Sequence, residues 1–258
     1  MTQKTRNRRG FTLLELMASM TIFLIICAAM FGLLQLSQQK YSSESQMSGA
    51  FQEARLGIDQ IVRDINISGY PSQNMFSKPV SSASYAVGPV AWDPGYPATD
   101  CQIGACTTPG DYDVILETDL GDGNVSWIRY TLTGTTLFRG VLQKTTGDPN
   151  TAPWGTGVMV PLVSNVMNNP PGALVAQITA EYPTLFPGGA PQPVFRYNCA
   201  TPAGSQPCNL APTTYNAPKL VSDVDVTLIV MTQTPDMQTK QLKLMELSGR
   251  GHRSNPSN

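Results

Sequence analysis

Several groups of residues in this chain have types and spacings that suggest chemistry. Asp119-Leu120-Gly121-Asp122-Gly123-Asn124 offers the hard oxygen ligands that Ca²⁺ takes. It lacks the spacing of an EF-hand loop and a distal bidentate glutamate. Asp, Gly and Asn are also what a hairpin turn demands of its backbone, so the turn is the favoured reading and no metal is expected. Of the five cysteines, Cys27 falls in an apolar segment, while Cys101/Cys106 and Cys199/Cys208 form two local pairs in Gly/Pro-rich stretches. With His252 as the single histidine and no zinc-type spacing, two small disulfide-closed loops in an oxidising compartment are expected rather than a metal site. Four cysteines allow three pairings, of which the local ones, Cys101–Cys106 and Cys199–Cys208, are favoured. No Gly-x-Ser-x-Gly or P-loop pattern occurs, and His252 stands apart from other catalytic residue types. The sequence therefore predicts no enzyme and no cofactor.

The remaining group is a single carboxylate. Glu15 immediately precedes Leu16–Leu34, a run of 19 residues without a charge, close to the ~20 that a helix needs to cross a bilayer. A charge within hydrocarbon costs at least about 2.5–3.5 kcal/mol near a helix centre, so a carboxylate at this place calls for a partner. Lys4, Arg6, Arg8 and Arg9 lie before the run and the next basic residue is Lys40. That asymmetry predicts a cytoplasmic N-terminus and an exported remainder. The run is too long for the apolar part of a secretory signal, and no small-x-small cleavage site follows it. After Gly10 the chain has 13 basic and 18 acidic residues, a net charge of −5, which does not suggest a nucleic-acid surface.

The elements that position these residues follow from periodicity. Met47, Phe51, Ala54, Ile58, Ile61 and Ile65 fall on one helical face, which predicts an amphipathic helix packed on the chain's own sheet. Glu53, Arg55, Asp59, Arg63 and Asp64 are expected on the surface. Gly32, Gly49 and Gly57 are candidate bends, the polar stretch 41–48 is a weak point, and Gly69-Tyr70-Pro71 ends the helix. Residues 71–112 lack periodicity and read as a long loop. Asp113–Thr118, Val125–Leu132 and Thr136–Leu142 read as a meander, followed by strands at Val158–Val163, Pro193–Tyr197, Asp223–Thr232 and Lys240–Leu247. Trp92, Tyr96 and Trp154 lie in loops, where pinning the loop to the fold is favoured over an adhesive or DNA-binding surface.

Arg9-Gly10-Phe11-Thr12-Leu13-Leu14-Glu15-Leu16 resembles the class III signal of type IV pilins and type II secretion pseudopilins. More loosely, ARLGIDQIVRDINISGYP and DVILETDLGDGNVSWIRYTLTGTTLFRG resemble PilW-type minor pilins and the J-type minor pseudopilins. The resemblance implies an α+β pilin fold: a long N-terminal helix, half transmembrane and half amphipathic, packed on an antiparallel β-sheet with long loops. It divides the chain into a basic leader 1–10, a membrane and assembly helix 11–36, its amphipathic continuation 37–69, a periplasmic β-rich domain 70–247 and a flexible tail 248–258.

The same resemblance implies cleavage by prepilin peptidase between Gly10 and Phe11 and methylation of the new Phe11 amine. Glu15 lies one turn from that amine, and in a staggered bundle one subunit's carboxylate meets a neighbour's amine, favouring assembly and axial register. The implied function is that of a minor pilin in pilus assembly or initiation. The alternatives are a minor pseudopilin of type II secretion and, from another class, a signal-anchored adhesin or surface-binding protein. Implied partners are other minor and major pilins, prepilin peptidase, the inner-membrane assembly platform and, before assembly, membrane lipid; nucleic acid is not expected. The implied location is the inner membrane, in a single pass with the C-terminal domain periplasmic, and then the pilus, at its tip.

Overall fold

The computed structural model describes residues 12–91, 108–208, 217–236 and 241–254. Gly10, Phe11, Trp92, Tyr96, Cys101 and Cys106 lie outside the described residues.

A single helix, α1 (Leu13–Ile67), takes up 55 residues, about 80 Å at 1.5 Å per residue. It starts in a capping box. Glu15 N donates to Thr12 Oγ1 at 3.3 Å, and Thr12 N donates to Glu15 Oε2 at 3.1 Å, satisfying two amides that a helix start leaves unpaired. The polar stretch 41–48, expected to be a weak point, continues the helix without interruption. Ser68 caps the far end, its hydroxyl donating to Ile65 O at 2.7 Å, and Gly69 follows with a φ of 85° that favours glycine.

The fully buried residues of α1 lie in its last four turns, with Ala50 packed at their edge. Ala54, Gly57, Ile58, Ile61, Asp64 and Ile65 are buried, on the 3–4 spacing of one helical stripe. That stripe faces two antiparallel sheets. The first contains β1 (Asp113–Asp119), β2 (Val125–Thr133), β3 (Thr136–Gln143) and β4 (Met159–Val163), in the order β1-β2-β3-β4. The second contains β5 (Phe195–Thr201), β6 (Gly204–Pro207), β7 (Val221–Met231) and β8 (Leu244–His252), in the order β6-β5-β7-β8. The architecture is α+β, a long N-terminal helix packed on antiparallel sheet, consistent with the pilin fold.

Alternation along the strands gives each sheet two apolar faces. Val114, Leu116, Ile128 and Tyr130 of the first sheet and Val224, Val226, Leu228 and Val230 of the second share one core with Ile58, Ile61 and Ile65 of α1. On the opposite face of the first sheet, Ile115 and Trp127 pack with Ala91. On the opposite face of the second, Ile229 and Met231 pack with Ile178 of a short helix, α2 (Gly172–Glu181). The sequence reading has neither the division into two sheets nor α2.

The chain passes from one sheet to the other just after β4. Val166 N donates to Thr135 O in the β2–β3 turn at 2.8 Å, and Met167 N donates to Ile229 O of β7 at 2.6 Å. Asn165, at the corner, has a φ of 56°, which asparagine tolerates better than most residues. The buried Asn168 amide continues the ladder, accepting from Ile229 N at 2.8 Å and donating to Thr227 O at 2.9 Å.

Two strands run well beyond their expected ends, and β8 starts at Leu244, later than expected. β5 runs beyond Tyr197 and turns into β6, and the Cys199–Cys208 disulfide ties the pair together across a Cα separation of 4.9 Å. Residues 248–252, expected in a flexible tail, complete β8, and the hairpin with β7 pairs Asp223 with His252. The glycines there look like loop residues but serve helix packing. A Cβ on Gly249 would overlap Ile58 Cγ2, and one on Gly251 would stand 2.6 Å from Ile65 Cβ. Gly57 plays the same part on α1, where a Cβ would overlap Val163 Cγ2 of β4.

Candidate assembly site on the N-terminal helix

From Thr12 to Ser42, α1 stands clear of the chain's own sheets; every residue is exposed except Cys27 and Leu36, which are partly covered. Leu13 is 78 % exposed and Phe31 67 %. A stripe of this size left bare in water would be strongly unfavourable, so its surroundings must be apolar, a bilayer or other helices. The helix is long and apolar enough to cross a membrane. Its hydroxyls are already paired within it: Ser19 Oγ donates to Leu16 O at 2.9 Å and Thr21 Oγ1 to Met17 O at 2.8 Å, as polar groups in hydrocarbon must be.

Glu15 is the carboxylate at the start of this stretch. Its Oε2 accepts from Thr12 N at 3.1 Å and from Thr12 Oγ1 at 3.2 Å. Both bonds go to the same oxygen. An ionised carboxylate has acceptor sites on both oxygens, so Oε1 retains capacity for a further donor. The negative side chain also lies at the positive end of the helix dipole.

At the other end of α1, a polar network that the sequence reading placed on the surface lies inside. Asp64 is 2 % exposed. Its Oδ2 accepts from Tyr130 Oη at 2.5 Å and from Arg139 Nη2 at 2.9 Å, while Oδ1 accepts from Gln60 Nε2 at 2.9 Å. Burial, reinforced by the Asp64 charge, pushes the Tyr130 hydroxyl far above its ordinary range and keeps it a proton donor. The signal was present: 61, 64 and 65 share the stripe that begins at 54, and a carboxylate on an apolar stripe needs a donor across from it.

A second buried pair was missed altogether. Lys144 Nζ and Glu117 Oε2 are 2.9 Å apart with neither side chain exposed. Glu117 also accepts from Trp127 Nε1 at 3.0 Å and from Val87 N at 2.9 Å, and Lys144 Nζ donates to Tyr85 O at 2.6 Å. Burial pulls the Lys144 ammonium below its ordinary value, against the opposing pull of Glu117. Together these bonds staple residues 85–87 of the long loop to the first sheet.

The other candidates have local structural roles. Asp119 Oδ1 accepts from Gly121 N at 2.7 Å and from Gly123 N at 3.1 Å, and Asp122 Oδ1 accepts from Asn124 N at 2.9 Å. Those oxygens hold their own turn. Trp154 Nε1 donates to Pro149 O at 2.7 Å, and the Arg129 guanidinium lies 5.7 Å over its ring, so this aromatic pins its loop. His252 Nδ1 lies 2.8 Å from Asp223 Oδ1. The hydroxyls of Ser205 and Ser222 also donate to Asp223, at 2.7 and 2.8 Å, so a serine–histidine–aspartate relay is not formed. No cluster of three or more metal-ligating side chains occurs among the described residues.

Residues 5–31 match the model of the prokaryotic N-terminal methylation motif. Neither curated proteins nor solved structures give a match. The motif and the long apolar helix support a type IV pilin-like, prepilin-type protein anchored in the membrane. A motif of this kind implies processing by prepilin peptidase and assembly with other pilins.

Proposed function

We propose that the chain is a minor pilin that enters the inner membrane as a prepilin, is cut between Gly10 and Phe11, and after methylation of Phe11 joins other pilins to start or extend a type IV pilus. The observation that carries this reading is the combination of the methylation motif with a stem that its own domain leaves bare. Such a stem is stable in lipid before assembly and among other stems afterwards. Glu15 supports the same reading, because Oε1 has no hydrogen-bond partner among the described residues while Thr12 occupies Oε2. A neighbour's Phe11 amine would complete it, setting one axial register and making a buried charge tolerable.

Mass spectrometry of the mature N-terminus tests the processing step. N-methylated Phe11 is expected, whereas an intact Met1 would point to a signal-anchored surface protein. Glu15→Ala is expected to leave cleavage unchanged and to lower incorporation into fibres, and unchanged incorporation would remove the register role. Gene deletion separates the system served: loss of surface pili supports the minor pilin, and loss of protein export with normal pili supports a minor pseudopilin.

A further inference from the structure

A strand at the rim of a sheet presents a row of backbone N–H and C=O groups that must be paired, covered or left to water. Three of the four rims are closed or short. β1 is lined by the segments before it: Gly69 N donates to Glu117 O at 2.7 Å, Asp119 N to Tyr70 O at 2.8 Å and Ala91 N to Ile115 O at 2.8 Å. β4 has five residues, among them Pro161, which has no N–H to offer, and its Met159 N donates to Gly155 O at 3.4 Å. β6 has four residues and ends in Pro207.

β8 is different, with nine residues and no proline. Its register with β7 continues past both ends, where Thr232 N donates to Lys243 O at 3.0 Å and Arg253 N to Ser222 O at 2.9 Å. Bonding alternates along an antiparallel pair, so the odd-numbered residues from 243 to 253 face β7 and the even-numbered ones face outward. At one end Asn66 closes the rim: His252 N donates to Asn66 Oδ1 at 2.9 Å and Ser254 N to Asn66 O at 3.3 Å. At the other, the Tyr182 hydroxyl lies against Leu242 O and the Leu244 backbone. Between them, the backbone groups of Glu246, Ser248 and Arg250 have no partner among the described residues, and all three residues are exposed.

The surroundings of this gap select what fits it. On the side facing α1, Met245, Leu247 and Val62 pack against the core yet are only partly covered. On the other side, Arg250 is held by Asp223 at 3.3 Å, whereas Glu246 has no ion pair with a described residue. We propose that the β8 rim takes an extended strand of another protein, antiparallel to residues 246–250. Alternate apolar side chains of that strand would cover Met245, Leu247 and Val62, and a basic one would stand opposite Glu246. A second copy of this chain does not fit. Lys243 meets Ser43, Gly249 meets Ile58 and His252 meets Asn66, so β8 climbs alongside α1 in the same direction. An antiparallel β8–β8 pair would point two stems in opposite directions, which one bilayer excludes; this step rests on the membrane-inserted reading above.

The probe is the peptide Thr-Val-Thr-Val-Lys-Val-Thr, and its control has Glu in place of Lys. Full-length protein in detergent is titrated with each, and residue-resolved hydrogen exchange follows the β8 amides. In the free protein, amides 246, 248 and 250 are expected to exchange faster than 245, 247, 249 and 251. The lysine peptide is expected to protect them and to bind several-fold tighter than the glutamate peptide. Ser248→Pro removes one outward donor while leaving the β7 ladder whole, and is expected to weaken binding about tenfold. Glu246→Lys, which alters no backbone group, is expected to reverse the peptide preference. Binding of neither peptide, equal binding of both, or binding unchanged in both variants would overturn the assignment. So would a dimer in which 246, 248 and 250 are already protected, since it would give the rim to a second copy. Carbonate extraction from vesicles tests insertion separately, and failure there would overturn the membrane reading rather than the peptide result.

Discussion

Asp64 in the last turns of α1 and Tyr130 in β2 are 66 residues apart in the chain and joined by a 2.5 Å hydrogen bond. The bond crosses the interface between the stem's base and the first sheet, and Arg139 closes it by donating to the same carboxylate oxygen. Apolar contact tolerates sliding, and other polar ties fix α1 at separate heights: Ser164 N donates to Glu53 Oε1 at 2.6 Å and His252 N to Asn66 Oδ1 at 2.9 Å. The Asp64 contact is likewise directional and specifies one rotation and one height of the helix on the sheet.

Removing that carboxylate should therefore be costly. Asp64→Ala leaves the Tyr130 hydroxyl and the Arg139 guanidinium without their acceptor and is expected to destabilise the fold by about 3 kcal/mol. Tyr130→Phe removes a single donor and should cost about 1 kcal/mol. Urea unfolding of the full chain in detergent, followed by near-UV circular dichroism, measures both. A stability for Asp64→Ala within a few tenths of a kcal/mol of wild type would show that the tether carries no energy.

The buried pair of Glu117 and Lys144 should respond unequally to loss of either partner. Glu117→Ala strips the acceptor from Lys144 Nζ, Trp127 Nε1 and Val87 N together. Lys144→Met removes one charge and keeps its length of apolar chain. The alanine variant is expected to be the less stable, by at least about 1 kcal/mol, and to be cleaved faster by protease within residues 85–91. Equal stability of the two variants would contradict the larger share given to the Glu117 carboxylate.

Close packing of α1 on β8 predicts coupling between Gly249 and Ile58. A Cβ at 249 meets Ile58 Cγ2, with Val62 Cγ2 at 3.2 Å behind it. Gly249→Ala is expected to cost about 1–3 kcal/mol through overpacking, and Ile58→Ala about 2–5 kcal/mol through the cavity it leaves. Combined, they should cost less than the sum by more than about 0.5 kcal/mol, because each relieves the other's misfit. Thermal unfolding of the four proteins in the cycle gives the coupling, and strict additivity would contradict the close approach.

Asp223 gives a pH dependence. Burial pushes its carboxyl up, but hydrogen bonds from His252, Ser205, Ser222 and Arg250 outweigh that and hold it well below the usual carboxylate range. A folded-state value below the unfolded one means stability that is present above about pH 4 and lost as the pH falls below it. Asp223→Asn should thus be less stable than wild type at neutral pH, and the gap should narrow on acidification. A gap that stays constant from neutral pH down to about pH 2 would refute the linkage. Asp225, Arg250 and Arg253 lie nearby, so the comparison is best made at fixed ionic strength.

Much of the architecture was legible because it rests on repeating patterns. The 4–3 spacing from Met47 to Ile65 marked the packed half of α1, and alternation at Val224, Val226, Leu228 and Val230 marked the central strand. What escaped depends on distant partners. Gly249 and Gly251 look like loop residues until a helix is laid across them. Asp64 looks like surface until Tyr130 and Arg139 are brought opposite it. Leu174 and Ile178 of α2 follow two prolines with no side-chain cap, so nothing local announces a helix there. The site at Glu15 was readable for the opposite reason, since its motif and apolar run are contiguous in the chain.

The corner at Asn165 has a mechanical consequence. Because β4 leads directly into the segment that pairs with β7, a pull along α1 is shared by both sheets. Its points of entry are the tight contact of Gly57 with Val163 and the Asp64 tether on the first sheet, two turns apart on the helix, and the contacts of Ile58 and Ile65 with Gly249 and Gly251 on the second. Tension applied to the stem is spread over several ties acting side by side, so none of them has to bear the load alone.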